Sequence, residues 1–287
     1  MLNEYLKKRF GCKVYKIALN AGFTCPNRDG TKGSKGCIFC SAGGSGDFAG
    51  DPVQSIPRQI DEGKRLVGSK IKNGKYIAYF QAYTNTYGPL DKLRRVYTEA
   101  ASHPDIVALS IATRPDCLPD DILELLSEIN HIKPVWVELG LQTIHEKSIC
   151  YIRRGYENKE YDRAVIELKN RGIEVITHVI LGLPGESEED MLETVRYVAD
   201  SGADGIKLQL LHILRNTDLA SEYENGLFDV MTEDDYINLL KKCKAVIPEE
   251  MVIHRLTGDG PKKILIAPLW SADKKHVLNR INREVLS

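Results

Sequence analysis

The stretch "EVITHVILGLPGESEEDMLETVRYVADSGADGIKLQLLHIL", residues 174–214, decides the fold class. It begins with an apolar, β-branched run at 174–183, continues through an amphipathic segment at 187–201, and ends in a second apolar run at 205–214. Runs that are apolar on both faces are typical of parallel strands covered by helices. The stretch is therefore predicted to form one β-α-β unit.

The same alternation of strand and helix extends along most of the chain. Further strands are predicted at 13–18, 76–83, 106–113 and 135–142, and further helices near 53–69, 90–102, 118–131, 158–171 and 232–246. Repeated β-α units predict an α/β fold, either a barrel or a doubly wound sheet. No linker or change in composition marks a boundary before about residue 250. We therefore expect one domain over 1–250, followed by an extension over 251–287 with a strand and a basic helix.

Composition indicates an ordinary globular protein. The chain has 287 residues, of which 43% are hydrophobic and 28% charged, enough to bury a full core. No apolar run reaches the roughly 18 residues of a membrane span, and "MLNEYLKKRF" lacks the apolar core of a signal peptide. We therefore expect a cytoplasmic protein that does not bind membranes.

Charge is unevenly distributed, although the net charge is only -1. Residues 1–36 carry eight Lys or Arg against two acidic residues, and residues 262–287 carry six against two. If the two ends meet in the fold, they could form a patch for a polyanion such as RNA. The alternative is that both basic segments are simply solvated surface.

Three of the seven cysteines fall in "TCPNRDGTKGSKGCIFC", residues 24–40. A reducing compartment and an odd number of cysteines both argue against a disulfide framework. Cys25, Cys37 and Cys40 are therefore candidate metal ligands. The scattered cysteines are expected to be buried small apolar side chains; they are Cys12, Cys117, Cys150 and Cys243.

Two kinds of metal centre fit these three thiols. A structural zinc site needs a fourth ligand, which would have to come from a distant residue such as His103 or His178. A 4Fe-4S cluster can instead be held by three thiolates, leaving one iron open to bind a ligand. Glycines around the thiols would let backbone amides approach the sulfur atoms.

The "CIFC" end of this segment resembles the cluster motif of the radical S-adenosylmethionine (SAM) enzymes, in which an aromatic residue precedes the last cysteine. The eleven residues between Cys25 and Cys37 resemble the expanded spacing of the subgroup related to the elongator catalytic subunit, and the segment looks most like YtqA/YhcC-type proteins. The resemblance extends from about residue 10 to 285. It implies a partial (β/α)6 barrel with a C-terminal strand and helix extension.

The resemblance also implies which residues hold SAM. "QAYTNTYGP" stands where the SAM amine is received, "SIATRPD" and "ELGLQT" follow the next two strands, and "HVILGLPGES" would pack against adenine. The cofactor-binding residues implied are Phe39, Gln81, Tyr83, Thr84, Thr113, Arg114, Glu138, Gln142, Ile180, Gly182 and Gln209.

Two of the implied SAM residues carry charge. A carboxylate in so apolar a strand is costly to bury unless it is paired, and we expect Glu138 to hold the SAM ribose or amine. In "YIRRGYEN", Arg154 is expected to clamp the SAM carboxylate, with Arg153 as the alternative, because a guanidinium can bind a carboxylate through two hydrogen bonds.

The implied activity is reductive cleavage of SAM to a 5'-deoxyadenosyl radical that abstracts hydrogen from a substrate. Relatives in this subgroup imply tRNA as the substrate, with conversion of carboxymethylaminomethyl-uridine at the wobble position, and a flavodoxin- or ferredoxin-type electron donor. The alternatives are a radical SAM enzyme acting on a small molecule and a zinc-stapled, non-catalytic βα protein. Near the C-terminus, His254, Arg255 and Asp259 are expected either to touch substrate or only to pack over the barrel.

Overall fold

The computed structural model describes residues 1–68, 74–258 and 260–286. Its strands are β1 (Val14–Leu19), β2 (Lys75–Phe80), β3 (Ile106–Thr113), β4 (Val135–Gln142), β5 (Glu174–Leu181), β6 (Gly205–Leu210), β7 (Ile213–Leu214), β8 (Val252–Arg255) and β9 (Leu265–Ala267). Its helices are α1 (Leu2–Phe10), α2 (Ile56–Val67), α3 (Leu90–Ser102), α4 (Asp120–Ile132), α5 (Glu146–Tyr151), α6 (Asn158–Asn170), α7 (Glu188–Asp200), α8 (Asp218–Glu224), α9 (Glu233–Val246) and α10 (Lys274–Glu284). Short 3-10 helices span Pro115–Cys117 and Leu269–Ala272.

Seven strands pair in parallel in the order β1-β2-β3-β4-β5-β6-β8 and curl into a half-barrel. The predicted α/β class and partial barrel are confirmed. The predicted sixth strand at 205–214 is divided: β6 ends at Leu210, and β7 pairs with β9 in a separate antiparallel sheet. Although β8 lies beyond residue 250, it pairs with β6 as the last strand of the half-barrel.

Local sequence signals set the helix boundaries. The side chain of Ser187 accepts a hydrogen bond from the Asp190 amide at the start of α7, and Thr232 accepts one from the Asp235 amide at the start of α9. Such N-caps satisfy backbone donors that a helix leaves unpaired. Each helix begins one residue after the start of its predicted segment, 187–201 for α7 and 232–246 for α9.

Alternation along the strands gives the half-barrel two different faces. Residues on the convex face, such as Val137, Val175 and Leu208, pack against the surrounding helices in the main core. On the concave face, the ends of the strands nearest α1 carry apolar side chains. They form a second cluster with Leu6 of α1: Val14, Ile77, Ala108, Trp136 and Ile176. Helix α1 therefore closes one end of the half-barrel, and the opposite end is left for the site.

The N-terminal helix reaches across the open edge of the half-barrel. Helix α1 contacts β8, the strand at the opposite edge of the sheet from β1. Among the described residues, none of the helices is both long and apolar enough to cross a membrane.

Candidate active site

A cavity of about 750 Å³ occupies the concave face of the half-barrel. Strand residues line its inner part, including Lys16, Tyr79, His178 and Lys207, and the loop from β1 to α2 lines its mouth. The carboxyl ends of parallel strands and the loops that follow them are where α/β barrels build their sites. The cavity therefore lies where a barrel enzyme binds its ligands.

The cysteine loop, residues 20–55, joins β1 to α2 without a helix or strand of its own. Its backbone is held at Ile38, whose amide donates to the Ile152 carbonyl at 3.2 Å and whose carbonyl accepts from the Leu219 amide at 3.1 Å. These bonds tie the loop to α5 and α8. The loop is thus fixed by distant parts of the chain as well as by its own turns.

Two polar side chains within the loop organise the thiols. Asn27 Nδ2 donates to Cys37 Sγ at 3.5 Å and to the Arg153 carbonyl at 2.7 Å. Arg28 donates to the carbonyls of Cys40 and Ser41 at 3.0 and 2.6 Å. Hydrogen bonds to thiolate sulfur tune the potential of an iron-sulfur centre, so Asn27 is placed to act on such a centre.

Gly44 makes a close approach between the cysteine loop and β2 possible. Its φ is +57°, and a Cβ there would lie 2.3 Å from Cδ1 of the Tyr83 ring. Tyr83 in turn donates from its hydroxyl to the Ala42 carbonyl at 2.6 Å and from its amide to the Gly44 carbonyl at 2.8 Å. The loop is therefore packed directly onto the segment that follows β2.

The donor set fits a cluster better than a single ion. Thiolates around one zinc ion lie about 3.8 Å apart. In the described part of the chain, the one group of three candidate ligand atoms that lie within 4.8 Å of one another is His145, Asp190 and Glu193, which contains none of the thiols. Three thiols spaced more widely around a glycine-rich cradle suit a 4Fe-4S cluster.

Burial favours the protonated form of two of these thiols, Cys37 and Cys40. Desolvation, together with the neighbouring Cys40, raises the pKa of Cys37 to about 11, and the Asn27 hydrogen bond opposes this shift. Burial also raises the pKa of Cys40, against the influence of Arg28. Metal binding must therefore displace protons from these thiols. Of the scattered cysteines, Cys117 and Cys243 are buried as expected, Cys12 is half-buried, and Cys150 is exposed.

The structure brings five of the implied SAM residues together on the cavity wall beside Cys40: Phe39, Gln81, Gln142, Ile180 and Gln209. They come from the cysteine loop and from the carboxyl ends of four strands or the residues just after them. An aromatic ring, an aliphatic side chain and three amides are suitable for holding an adenosine and an amino acid. Their contacts with SAM stay a prediction.

Three further implied residues, Thr84, Thr113 and Gly182, are engaged in contacts behind this wall. The Thr84 amide donates to the Thr24 carbonyl at 3.2 Å, and the hydroxyls of Thr113 and Thr86 lie 2.5 Å apart. The Gly182 amide donates to Met191 Sδ at 3.0 Å, at a φ of +88°. These contacts position the loops that carry the wall.

Arg114, another of the implied SAM residues, is buried. Its guanidinium binds Asp116 through two hydrogen bonds of 2.9 Å and donates to the Arg154 carbonyl at 2.9 Å. Its role is to hold the loop after β4 against the loop after β3.

The structure does not support the expected role of Arg154 as a carboxylate clamp. The side chain is fully buried, and its five N–H groups all have protein acceptors. These acceptors are the carbonyls of Leu141, Thr143 and Tyr156 and the side chain of Asn158, at 2.8 to 3.1 Å. Arg154 therefore orders the loop after β4. The alternative, Arg153, pairs with Asp218 at 2.7 Å.

Glu138 lies in a layer of polar side chains above the apolar cluster closed by α1. We call this set the polar layer. Each of the strands β1 to β6 contributes one residue to it: Lys16, Tyr79, Ser110, Glu138, His178 and Lys207. One oxygen of Glu138 accepts from Lys16 at 2.5 Å and from Ser110 at 2.6 Å. The other oxygen contacts His178 Nε2 at 2.7 Å and accepts from Lys207.

Both oxygens of Glu138 are thus occupied by protein donors. Protein groups therefore supply the partners that a carboxylate buried in an apolar strand needs. This geometry does not support the expected role of Glu138 in holding the SAM ribose or amine.

Strong pKa shifts mark the polar layer. Burial raises the pKa of Glu138, but Lys16 and Lys207 outweigh it, and the pKa lies well below the usual value. Burial, with Lys207 adding to it, lowers the pKa of His178 to about 4. Burial lowers the pKa of Lys207 to about 7, partly opposed by Glu138. At neutral pH, His178 is therefore uncharged and Lys207 is near its titration midpoint.

Four residues of this layer were not predicted from the sequence: Lys16, Tyr79, Ser110 and Lys207. A usable signal exists for the two lysines, since each stands in the middle of an otherwise apolar strand, in "VYKIAL" and "GIKLQL". A buried lysine is as costly as a buried glutamate and predicts a partner. His178, named above as a possible zinc ligand, lies inside the barrel.

The C-terminal residues reach the cavity. His254 and Arg255 of β8 both line it, and the His254 ring packs edge-on to Trp136 with centroids 5.8 Å apart. Asp259, the third residue expected there, lies outside the described residues. His212, expected within the sixth strand, lies between β6 and β7 and lines the same cavity.

Comparison with known proteins agrees with this geometry. The Radical SAM superfamily model matches residues 24–198, and the Radical_SAM C-terminal domain model matches residues 203–286. The chain is 47% identical to YtqA of Bacillus subtilis, covering 99% of this chain and 88% of YtqA. It is 40% identical to YhcC of Escherichia coli, covering 96% of this chain and 88% of YhcC.

More distant similarities point in the same direction. The chain is 27% identical to a tRNA uridine(34) acetyltransferase of Methanocaldococcus jannaschii, covering 58% of this chain and 31% of that protein. The solved structure of Methanocaldococcus infernus Elp3 superposes with a TM-score of 0.70 at 17% identity, covering 96% of this chain and 64% of that one. The structural likeness shows a shared fold.

Proposed function

We propose that this chain, which belongs to the radical SAM superfamily and within it to the YtqA/YhcC-type group, acts on tRNA. The reaction proposed is conversion of the carboxymethylaminomethyl side chain at the 5-position of wobble uridine. The superfamily uses a 4Fe-4S cluster and SAM, and together these groups supply the radical chemistry that removes a hydrogen atom from the substrate.

The protein's own residues hold these groups and shield them. Cys25, Cys37 and Cys40 would bind the cluster, with Asn27 donating a hydrogen bond to the Cys37 sulfur. The amide-rich wall beside Cys40 would bind SAM. The apolar cluster beneath the polar layer and α1 close the inner end of the half-barrel, which keeps water and stray hydrogen donors away from the reaction.

The observation that carries the tRNA proposal is the charge around the cavity. Lys7 and Lys13 from the N-terminal segment line it, as do Arg255 and Lys274 from the C-terminal segment. The two basic ends of the chain thus both line one cavity, and we call these four side chains the basic rim. Such a set of cations suits a polyanion whose target base is flipped out of its stack into the pocket.

The relatives lend support at a coarser level. One distant relative is a tRNA uridine(34) acetyltransferase by name, and this chain spans only 31% of its length. From this relative we therefore take the wobble uridine as the proposed substrate, and we do not propose that this chain transfers an acetyl group. A flavodoxin- or ferredoxin-type protein is proposed as electron donor, and a tRNA substrate places the activity in the cytoplasm.

The proposal is tested by measuring 5'-deoxyadenosine formation. The anaerobically reconstituted protein is given reductant and SAM, with and without tRNA from a strain that lacks the gene. We expect formation to rise with this tRNA and not with tRNA from a strain that carries the gene. Formation that is indifferent to either tRNA would redirect the search to small-molecule substrates.

The basic rim is tested separately by salt dependence. Lys7→Gln should weaken tRNA binding and lower the slope of log Kd against log salt concentration by up to about 0.9, as one lost phosphate contact does. Lys244→Gln is the matched control, because Lys244 is exposed on α9 and does not line the cavity. Equal slopes for both variants and the wild type would argue against RNA contact at this rim.

A further inference from the structure

Two lysines share one carboxylate at the inner end of the cavity. Lys16 Nζ contacts one oxygen of Glu138 and Lys207 Nζ contacts the other. Both lysines also line the cavity, so their ammonium groups lie between Glu138 and the open space. The remaining groups that face them are Tyr79 on β2, Ser110 on β3, His178 on β5, and His254 and Arg255 on β8.

These contacts leave donor capacity toward the cavity. Lys16 donates to Glu138 and Ser110, and Lys207 donates to Glu138 and Tyr79. An ammonium has three N–H groups, so the third on each lysine, whose Nζ also lies 4.9 Å (Lys16) or 4.6 Å (Lys207) from the centre of the Tyr79 ring, can bind a ligand. When Lys207 is protonated, two cations face one carboxylate, and the excess of buried positive charge is costly unless an anion compensates it.

We propose that Lys16 and Lys207 form a carboxylate-binding subsite, which holds the terminal carboxylate of the substrate's uridine side chain. This inference rests on the proposed function, because the carboxymethylaminomethyl group ends in a carboxylate. Glu138 positions the two ammonium groups, and the bound carboxylate completes an alternating set of two positive and two negative charges.

The position of the subsite along the strands suits this role. Lys207 lies two residues before Gln209 on β6, which places it roughly 7 Å deeper in the half-barrel than the wall proposed for SAM. A uridine side chain whose carboxylate is bound by Lys16 and Lys207 has to extend past the wall proposed for SAM. Its methylene groups then face the cofactor, where a hydrogen atom is removed.

Substrate discrimination tests the proposal directly. Two anticodon stem-loop RNAs are compared, one with carboxymethylaminomethyl-uridine and one with aminomethyl-uridine, which lacks the carboxylate. For the wild type we expect tighter binding of the first by about 10- to 100-fold, the range of a hydrogen-bonded charge. Lys207→Met and Lys16→Met should each remove most of this preference, while Lys244→Met should keep it.

Binding is measured by fluorescence anisotropy, which needs no turnover. Equal affinity of the wild type for both RNAs would overturn the subsite. The proposed function would still stand if 5'-deoxyadenosine formation depended on tRNA. A loss of SAM binding in Lys207→Met as large as the loss of RNA preference would assign the lysines to the cofactor and also overturn the subsite.

A second measurement keeps the subsite falsifiable if tRNA is not the substrate or if a variant fails to fold. Wild-type protein is labelled with trace acetic anhydride at pH 7.5, and modification of Lys207 is followed by mass spectrometry with sodium acetate or with sodium chloride at equal ionic strength. A bound carboxylate favours the charged, unreactive amine, so we expect several-fold slower labelling in acetate. Equal labelling in both salts would overturn the subsite.

Discussion

Replacing Lys207 by methionine should change how the stability of the protein depends on pH. The folded-state pKa of Lys207 is about 7, whereas its ordinary value is 10.5, because burial disfavours the charged form. Between these two values the unfolded chain binds more protons than the folded one. The free energy of unfolding of the wild type therefore contains a Lys207 contribution that rises with pH across this window.

The size of the effect follows from the shift in the pKa of Lys207. This pKa shift changes the free energy of unfolding by roughly 5 kcal/mol between pH values below about 7 and above about 10.5, with a slope of up to about 1.4 kcal/mol per pH unit. Methionine fills similar space and does not titrate. The wild type should therefore gain about 2 kcal/mol relative to Lys207→Met between pH 7 and pH 9.

Urea unfolding of the metal-free proteins, followed by circular dichroism at several pH values, measures this difference. Groups that titrate in both proteins, including the buried thiols and tyrosines, cancel in the comparison. Lys244→Met should differ from the wild type by a constant amount. A constant difference for Lys207→Met as well would mean that Lys207 titrates as it does in solvent, and the reasoning about the polar layer would be refuted.

Three further outcomes are expected. Cys37→Ala should abolish 5'-deoxyadenosine formation and lower the bound iron while leaving the circular dichroism unchanged, and retained activity would contradict the cluster assignment. Arg154→Met should lower the free energy of unfolding by about 3 kcal/mol or more and reduce cluster loading and SAM binding together, because buried carbonyls lose their donors; a selective loss of SAM binding would restore the carboxylate clamp. Gly44→Ala should lower the free energy of unfolding by about 1 to 3 kcal/mol and reduce the bound iron, because the positive φ of Gly44 and the Tyr83 ring both oppose a side chain. Unchanged iron content would show that the loop is held elsewhere.

Local patterns in the sequence were enough to predict the α/β class and to single out three thiols as metal ligands, whose role in holding a cluster stays a prediction. The alternation in residues 174–214 has the periods of strands and of a helix, and these periods do not depend on distant residues. The thiols of "CIFC" are likewise neighbours in sequence. The β6–β7 division was missed because Leu211 and His212 continue the apolar run although the backbone leaves the sheet.

Tertiary structure alone decided the partners of Arg154 and Glu138. From the sequence, an arginine after β4 and a glutamate within it could each bind SAM. The fold instead surrounds Arg154 with backbone carbonyls and places lysines from β1 and β6 on Glu138. Along the chain, Lys16 is more than a hundred residues from Glu138, and Lys207 is about seventy residues from it. Which side chains meet across a curled sheet depends on the register and curvature of all the strands between them, and short-range sequence patterns do not contain that information.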